Sequence, residues 1–223
     1  MRISEVQKRL DHATSEHRLL AHPFYQAWTA GTLTTADLAT YAEQYWRQVE
    51  AFPDYLDAIV ERLPMGRARA IVDANVADER DGDHAGLWLR FAAAVGTTEA
   101  ACRASTPETE TSACVSAFRQ GTQTRSLAYA LGMIYGYESQ TPDVAETKVK
   151  GLRERYGIDG DGVTYFSLHG TLDVEHTREL LTALSEVVTD EASLADAEAG
   201  ARAGAMAVWG LLSGVTRVRE IHC

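Results

Sequence analysis

Apolar residues recur at three- and four-residue spacing along nearly the whole chain, the period of an amphipathic helix, and no stretch alternates with the period of a strand. The pattern predicts helices near 3–20, 22–30, 35–62, 65–94, 97–103, 108–119, 122–138, 142–156, 161–184 and 190–219. Punctuation between them is local and physical. Gly31 suits the left-handed stop of one helix, and Thr34 can cap the free N–H groups of the next. Pro64 and Gly66 mark a further break. Pro142 fits the first turn of a helix, where a missing N–H costs nothing. Gly157 and the run Asp159, Gly160, Asp161, Gly162 read as a turn, and residues 106–112, with Pro107, as an exposed loop. With no linker and no repeat, the expectation is an all-α helical bundle forming one domain over 1–223.

Composition narrows the class. At 223 residues and 45% apolar the chain can bury a sizeable interior, and no stretch reaches the roughly 18 apolar residues of a membrane span. The first twenty residues carry charges every few positions and lack an apolar signal core, so a cytoplasmic protein without a membrane partner is expected. Net charge is −11, from 32 acidic and 21 basic residues, with no basic cluster; a nucleic-acid partner is disfavoured. The acidic runs at 73–83 and 190–198 read as solvated surface. Cys102, Cys114 and Cys223 lack metal-binding spacing, so free thiols are expected. Pairing through helix faces makes a homodimer plausible.

Candidate chemistry lies in three places. His169, Asp173 and His176 fall at i, i+4 and i+7 and share one stripe of a helix, a mixed N/O set suited to iron, manganese or zinc. A chance polar face is the plain alternative. The run from Asp78 to His84 offers Glu79 and His84, with Gly82 between them able to bend the chain; Asp78 replaces Glu79 if the helix phase is one residue off, and an acidic surface turn is the plain reading. Glu138 follows the apolar stretch 127–137, so its carboxylate calls for a cation, a proton or several hydrogen bonds. Three carboxylates and three imidazoles resemble the carboxylate-bridged di-metal sites of helical bundles, which activate oxygen.

An ordered series extends over almost the whole chain: His22-Pro-Phe-Tyr25 and Trp28; Tyr41, Tyr45 and Pro53; Glu79, His84 and Trp88; Tyr137-Glu138-Ser-Gln-Thr-Pro142 and Lys148; His169, Asp173 and His176. It resembles the CADD proteins, which sit with the quinone-cofactor synthesis and thiaminase-like proteins in the haem-oxygenase-like fold. The resemblance implies a metal pair, iron with manganese or a second iron, held by Glu79, His84, Glu138, His169, Asp173 and His176. It further implies a self-consuming oxidase that makes 4-aminobenzoate for folate synthesis from its own Tyr25. Lys148 would be the amino donor, Tyr41 and Tyr165 would act in radical transfer, and oxygen and an external electron donor would be cosubstrates. One departure is visible: the spacing from Glu79 to His84 is shorter than in the family.

Two other readings compete. A di-metal oxidase could act on an external small substrate such as an amino acid or a fatty acid. A non-enzymatic interaction module would need an exposed docking surface, and the sequence shows none. By residue type alone Tyr25 and Tyr41 read as core tyrosines and Lys148 as a surface lysine. Cys102 and Cys114 lack the motif of a nucleophilic cysteine, which disfavours thiamin hydrolysis.

Overall fold

The computed structural model describes residues 1–222; the expected Cys223 thiol lies outside them. Among these residues eleven α-helices form: α1 (Ile3–Thr14), α2 (Pro23–Ala30), α3 (Thr35–Arg62), α4 (Arg67–Asp81), α5 (His84–Ala94), α6 (Glu99–Ala104), α7 (Thr109–Thr124), α8 (Leu127–Glu138), α9 (Thr141–Arg155), α10 (Asp161–Val187) and α11 (Glu191–Val218). Their ends follow the sequence. Thr34 and Asp37 form a reciprocal capping box at the start of α3, Gly31 closes α2 at φ 72°, and Pro142 lies in the first turn of α9.

Three expectations need correction. The exposed loop expected over 106–112 gives way at Thr109 to α7, because Thr111 is buried and its hydroxyl donates to the Gln44 side chain at 2.9 Å. The helix expected over 3–20 stops at Thr14, and two 3-10 turns, Ser15–His17 and Leu19–Ala21, carry the chain to α2. The cause is tertiary: the Leu19 N–H donates to the Gln140 side chain at 2.8 Å instead of continuing a helix. The span expected over 65–94 is split. The bend falls at Asp83, which adopts φ 51° and caps α5 by accepting from the Gly86 N–H, whereas Gly82 keeps an ordinary helical φ of −73°. Left-handed backbone is uncommon for a side-chain-bearing residue, and aspartate is among the few that tolerate it.

Two packing devices hold the bundle together. Along α8 and α11 glycines replace side chains: a Cβ at Gly132 or Gly136 would run into the carbonyls of Ala197 and Ala201, and one at Gly200 or Gly204 into those of Tyr129 and Met133. The two backbones therefore touch. On the other side an aromatic cluster fills the space between α2, α3, α5 and α10. Tyr45 stacks on Trp88 at 5.1 Å, and Tyr41, Phe91 and Phe166 pack edge-on around it. Among the described residues no helix is long and apolar enough to cross a membrane. Cys102 and Cys114 are buried free thiols, and burial pushes the Cys102 thiol up to about 11, so neither has nucleophile character.

Candidate metal centre and adjoining chamber

All six candidate metal-ligating side chains are buried: Glu79, His84, Glu138, His169, Asp173 and His176. Helix geometry accounts for the last three directly, since His169, Asp173 and His176 lie on the inward stripe of α10. The Asp83 bend accounts for the first pair. It turns α5 back on α4, so that His84 Nδ1 comes to 3.0 Å from Glu79 Oε2. Glu79, His84 and His169 offer ligand atoms that all lie within 4.8 Å of one another, a spacing able to hold a metal ion. Glu138, at the end of α8, joins Glu79, His169 and Asp173 around a cavity of about 10 Å³.

The orientation of the donors fits a cation. His169 Nδ1 lies 2.8 Å from the Tyr165 carbonyl; donating that proton leaves Nε2 as a lone pair aimed inward, 3.8 Å from Glu79 Oε1. His176 Nε2 is held by Asp78 Oδ2 at 3.2 Å, which turns Nδ1 toward Asp173 at 3.4 Å. His84 Nδ1 and His176 Nδ1 face the Glu79 and Asp173 carboxylates without the geometry of a hydrogen bond, and Glu138 Oε2 is buried with no partner at all. Buried polar atoms are normally satisfied, so donors left this way beside carboxylates fit a cation. Nitrogen and carboxylate oxygen together suit iron. Between the two candidate carboxylates of α4 the choice is geometric: the Asp78 side chain is 56% exposed and supports His176 from outside, whereas Glu79 faces the cavity. Gly82 matters here for a reason its sequence position did not reveal. A Cβ there would lie 2.6 Å from His84 Nε2 and 2.7 Å from the Asp78 carbonyl.

Electrostatics follow from the crowding. Burial works to raise the Glu79 pKa, but the His169 and His84 imidazoles outweigh it and hold the carboxyl at about 2. Burial, and then the Asp173 carboxylate, raise Glu138. Burial works to lower His176, yet Asp173 and Glu138 carry it up to about 9.

A second cavity, about 20 Å³, adjoins the first. Tyr25, Tyr45, Tyr137, Lys148, Tyr165 and His169 contribute to its wall, and Tyr137, Tyr165 and His169 line both. Space of this size holds one water-sized molecule. Lys148, expected on residue type to lie at the surface, is 4% exposed. Its ammonium nitrogen donates to the Tyr41 hydroxyl at 2.6 Å and lies 5.5 Å from the Tyr25 ring centroid and 4.6 Å from that of Phe166. No carboxylate among the described residues pairs with it, and burial lowers its pKa to about 7. Tyr25 and Tyr41 interact through their hydroxyls, and burial raises both. Tyr165 stacks on His169 at 4.1 Å, and the Tyr45 hydroxyl donates to that of Tyr137 at 3.3 Å.

The sequence reading missed Asn75, which donates to Glu138 Oε1 at 3.0 Å, and gave no role to Tyr45, Tyr137 or Phe166. Only Tyr45, one helical turn beyond Tyr41, carried a signal that could have found it.

An all-helical fold whose interior gathers carboxylates and imidazoles defines a class of metal-dependent redox enzyme. The chain belongs to the iron-containing redox enzyme family, whose profile matches residues 39–209. It is 37% identical over 174 residues to the 4-aminobenzoate synthase of Chlamydia muridarum, covering 77% of this chain and 74% of that one. To the 4-aminobenzoate synthase of Nitrosomonas europaea it is 33% identical, covering 100% of this chain and 94% of that protein. The fold is similar to that of a TenA homologue from Pseudomonas syringae pv. tomato, with a TM-score of 0.85, 19% identity and coverage of 97% and 96%. The resemblance to the CADD proteins and the haem-oxygenase-like fold expected from sequence are thus borne out.

Proposed function

We propose that this redox enzyme forms 4-aminobenzoate from its own Tyr25, with Lys148 as the amino donor, beside a metal pair held by Glu79, His84, Glu138, His169, Asp173 and His176. The observation that carries the proposal is the chamber itself. A lysine without a counter-ion is enclosed among tyrosines in a space of about 20 Å³, the room of a water-sized molecule, so the aromatic rings within reach of its nitrogen, Tyr25 among them, are the protein's own. The names of the bacterial relatives agree with 4-aminobenzoate as the product.

The metal pair, iron with a second iron or manganese, would supply oxygen-dependent oxidation, drawing on molecular oxygen and an external reductant that the side chains cannot replace. The remaining work falls to the chain. Burial keeps Lys148 Nζ largely neutral above pH 7, which leaves its lone pair free for a nitrogen transfer that an ammonium could not begin. The hydrogen bond to Tyr41 fixes that nitrogen beside Tyr25. The same burial keeps the Tyr25 phenol protonated, so its oxidation requires a proton acceptor, and the Tyr41 hydroxyl is the neighbour in contact with it. Tyr165, stacked on His169 and lining both cavities, links the metal side to the lysine side. The closed walls exclude bulk water and small-molecule competitors.

The test is intact-mass and peptide analysis after incubation with iron, manganese, oxygen and reductant. Loss of side-chain mass at Tyr25, with nitrogen from labelled Lys148 appearing in the product, is the expected result. Tyr25→Phe should keep its iron and form no 4-aminobenzoate. Undiminished product from that variant, or conversion of an added amino acid or fatty acid by an unaltered protein, would overturn the proposal.

A further inference from the structure

The sealed chamber raises the question of how a ring-sized product leaves. A groove of about 690 Å³ runs along the surface between α9 and α10, and two of its residues, Ala145 and Phe166, also line the chamber that holds Lys148 and Tyr25. The two other large surface hollows, one beside Thr29 and Arg155 and one beside Arg47 and Pro107, share no residue with that chamber. Outside and inside are therefore separated at this groove by the thickness of two side chains.

The wall is also thin in the chemical sense. At its centre Gly170 of α10 faces Ala145 of α9, so that no side chain larger than a methyl stands between the helices at this point; a Cβ at Gly170 would stand 3.5 Å from that of Ala145, in ordinary contact. Phe166 completes the barrier, with Lys148 Nζ 4.6 Å from its ring centroid on the chamber side. Beyond it the groove offers the apolar side chains Val149 and Val174 and, on its rim, the Lys150 ammonium among the carboxylates of Glu146 and Glu154. Val174, 59% exposed, leaves part of the groove floor apolar and open to solvent.

We infer that the seam between α9 and α10 at Ala145, Phe166 and Gly170 is the passage by which a single-ring aromatic carboxylate moves between the Lys148 chamber and solvent. The inference rests on the self-consuming reading, which requires such a molecule to leave. Movement of the Phe166 ring into the groove, giving up its edge-on contacts with Trp88 and Phe91, together with a small separation of the two helices, opens the wall.

The test needs no turnover, so its outcome is independent of whether Tyr25 is consumed. Iron-loaded Tyr25→Ala protein, in which the missing ring leaves room for a guest, is exposed under nitrogen to 4-carboxybenzaldehyde with cyanoborohydride, and the label on Lys148 is followed by peptide mapping, with exposed Lys8 as the internal reference. In the double variant Ala145→Cys with Gly170→Cys, the 3.5 Å Cβ separation meets the requirement for a disulfide that locks the seam. Labelling of Lys148 relative to Lys8 is expected to fall roughly tenfold or more in the oxidised variant and to recover on reduction. Equal labelling of locked and unlocked protein in this Tyr25→Ala background would overturn the passage, as would failure of the unlocked protein to label at Lys148. Should the disulfide not form, Phe166→Ala gives the opposite reading: faster labelling supports the passage, and an unchanged rate refutes it.

Discussion

At the residue scale the centre is a set of compromises that only a cation or a reaction resolves. Without metal, His176 keeps its proton up to about pH 9, and Glu138 also titrates above the ordinary carboxylate range. Metal must displace these protons, so iron affinity is expected to rise with pH from 6 to 9, with proton release visible as a buffer-dependent heat in calorimetry. An affinity independent of pH would show that neither group binds the ion. Lys148 presents a different compromise. Holding an amine in this chamber, with its pKa brought down to about 7, costs folding free energy at neutral pH. Lys148→Met is expected to abolish product yet stabilise the protein, by something of the order of 2–3 kcal/mol, or roughly 4–12 °C in melting temperature. A lower melting temperature would show that the hydrogen bond to Tyr41 outweighs the desolvation of the amine.

At the element scale the helices were largely legible, because period and caps act locally: α3, α9 and α11 begin and end within a few residues of where the pattern put them. Illegible were the events that long-range contacts decide. Periodicity continues through residues 82 and 83, so it could not show that Asp83 turns left-handed there, although that turn brings His84 to Glu79. Likewise, the sequence does not reveal that Gly132 and Gly136 meet the α11 backbone at Ala197 and Ala201, since a glycine in a helix reads as a weakness until its neighbour is known. This seam sets the position of Glu138, two residues beyond Gly136. Gly136→Ala would push α8 off the Ala201 carbonyl, at an expected cost of about 1–3 kcal/mol, and should lower iron content at the same time. Thermal unfolding and metal analysis of one preparation check both; full iron occupancy in a destabilised variant would separate the seam from the site.

For the molecule as a whole, the candidate residues could be named from sequence because three of them share one helix stripe and the rest fall in an ordered series of motifs. What the sequence could not convey was enclosure: that a lysine and a ring of tyrosines line one small hollow, and that this hollow shares a wall with the carboxylates and imidazoles. The same enclosure explains how little of the chemistry is advertised outside, since every candidate group except the supporting Asp78 is buried.

Tyr25, 1% exposed and packed edge-on against Phe24, is also a structural member of the core. A chain that has given up this ring is left with a void where an aromatic side chain stood, a defect worth about 3–5 kcal/mol. Losing the buried Lys148 amine offsets about 2–3 kcal/mol of this, so spent molecules are expected to melt up to about 12 °C below fresh ones, separable by calorimetry of a partly reacted sample. An identical melting point would mean the walls collapse to fill the hole. Firing once would then also shorten the protein's life, as the used copy unfolds more often and presents itself to proteolysis, clearing the way for its replacement.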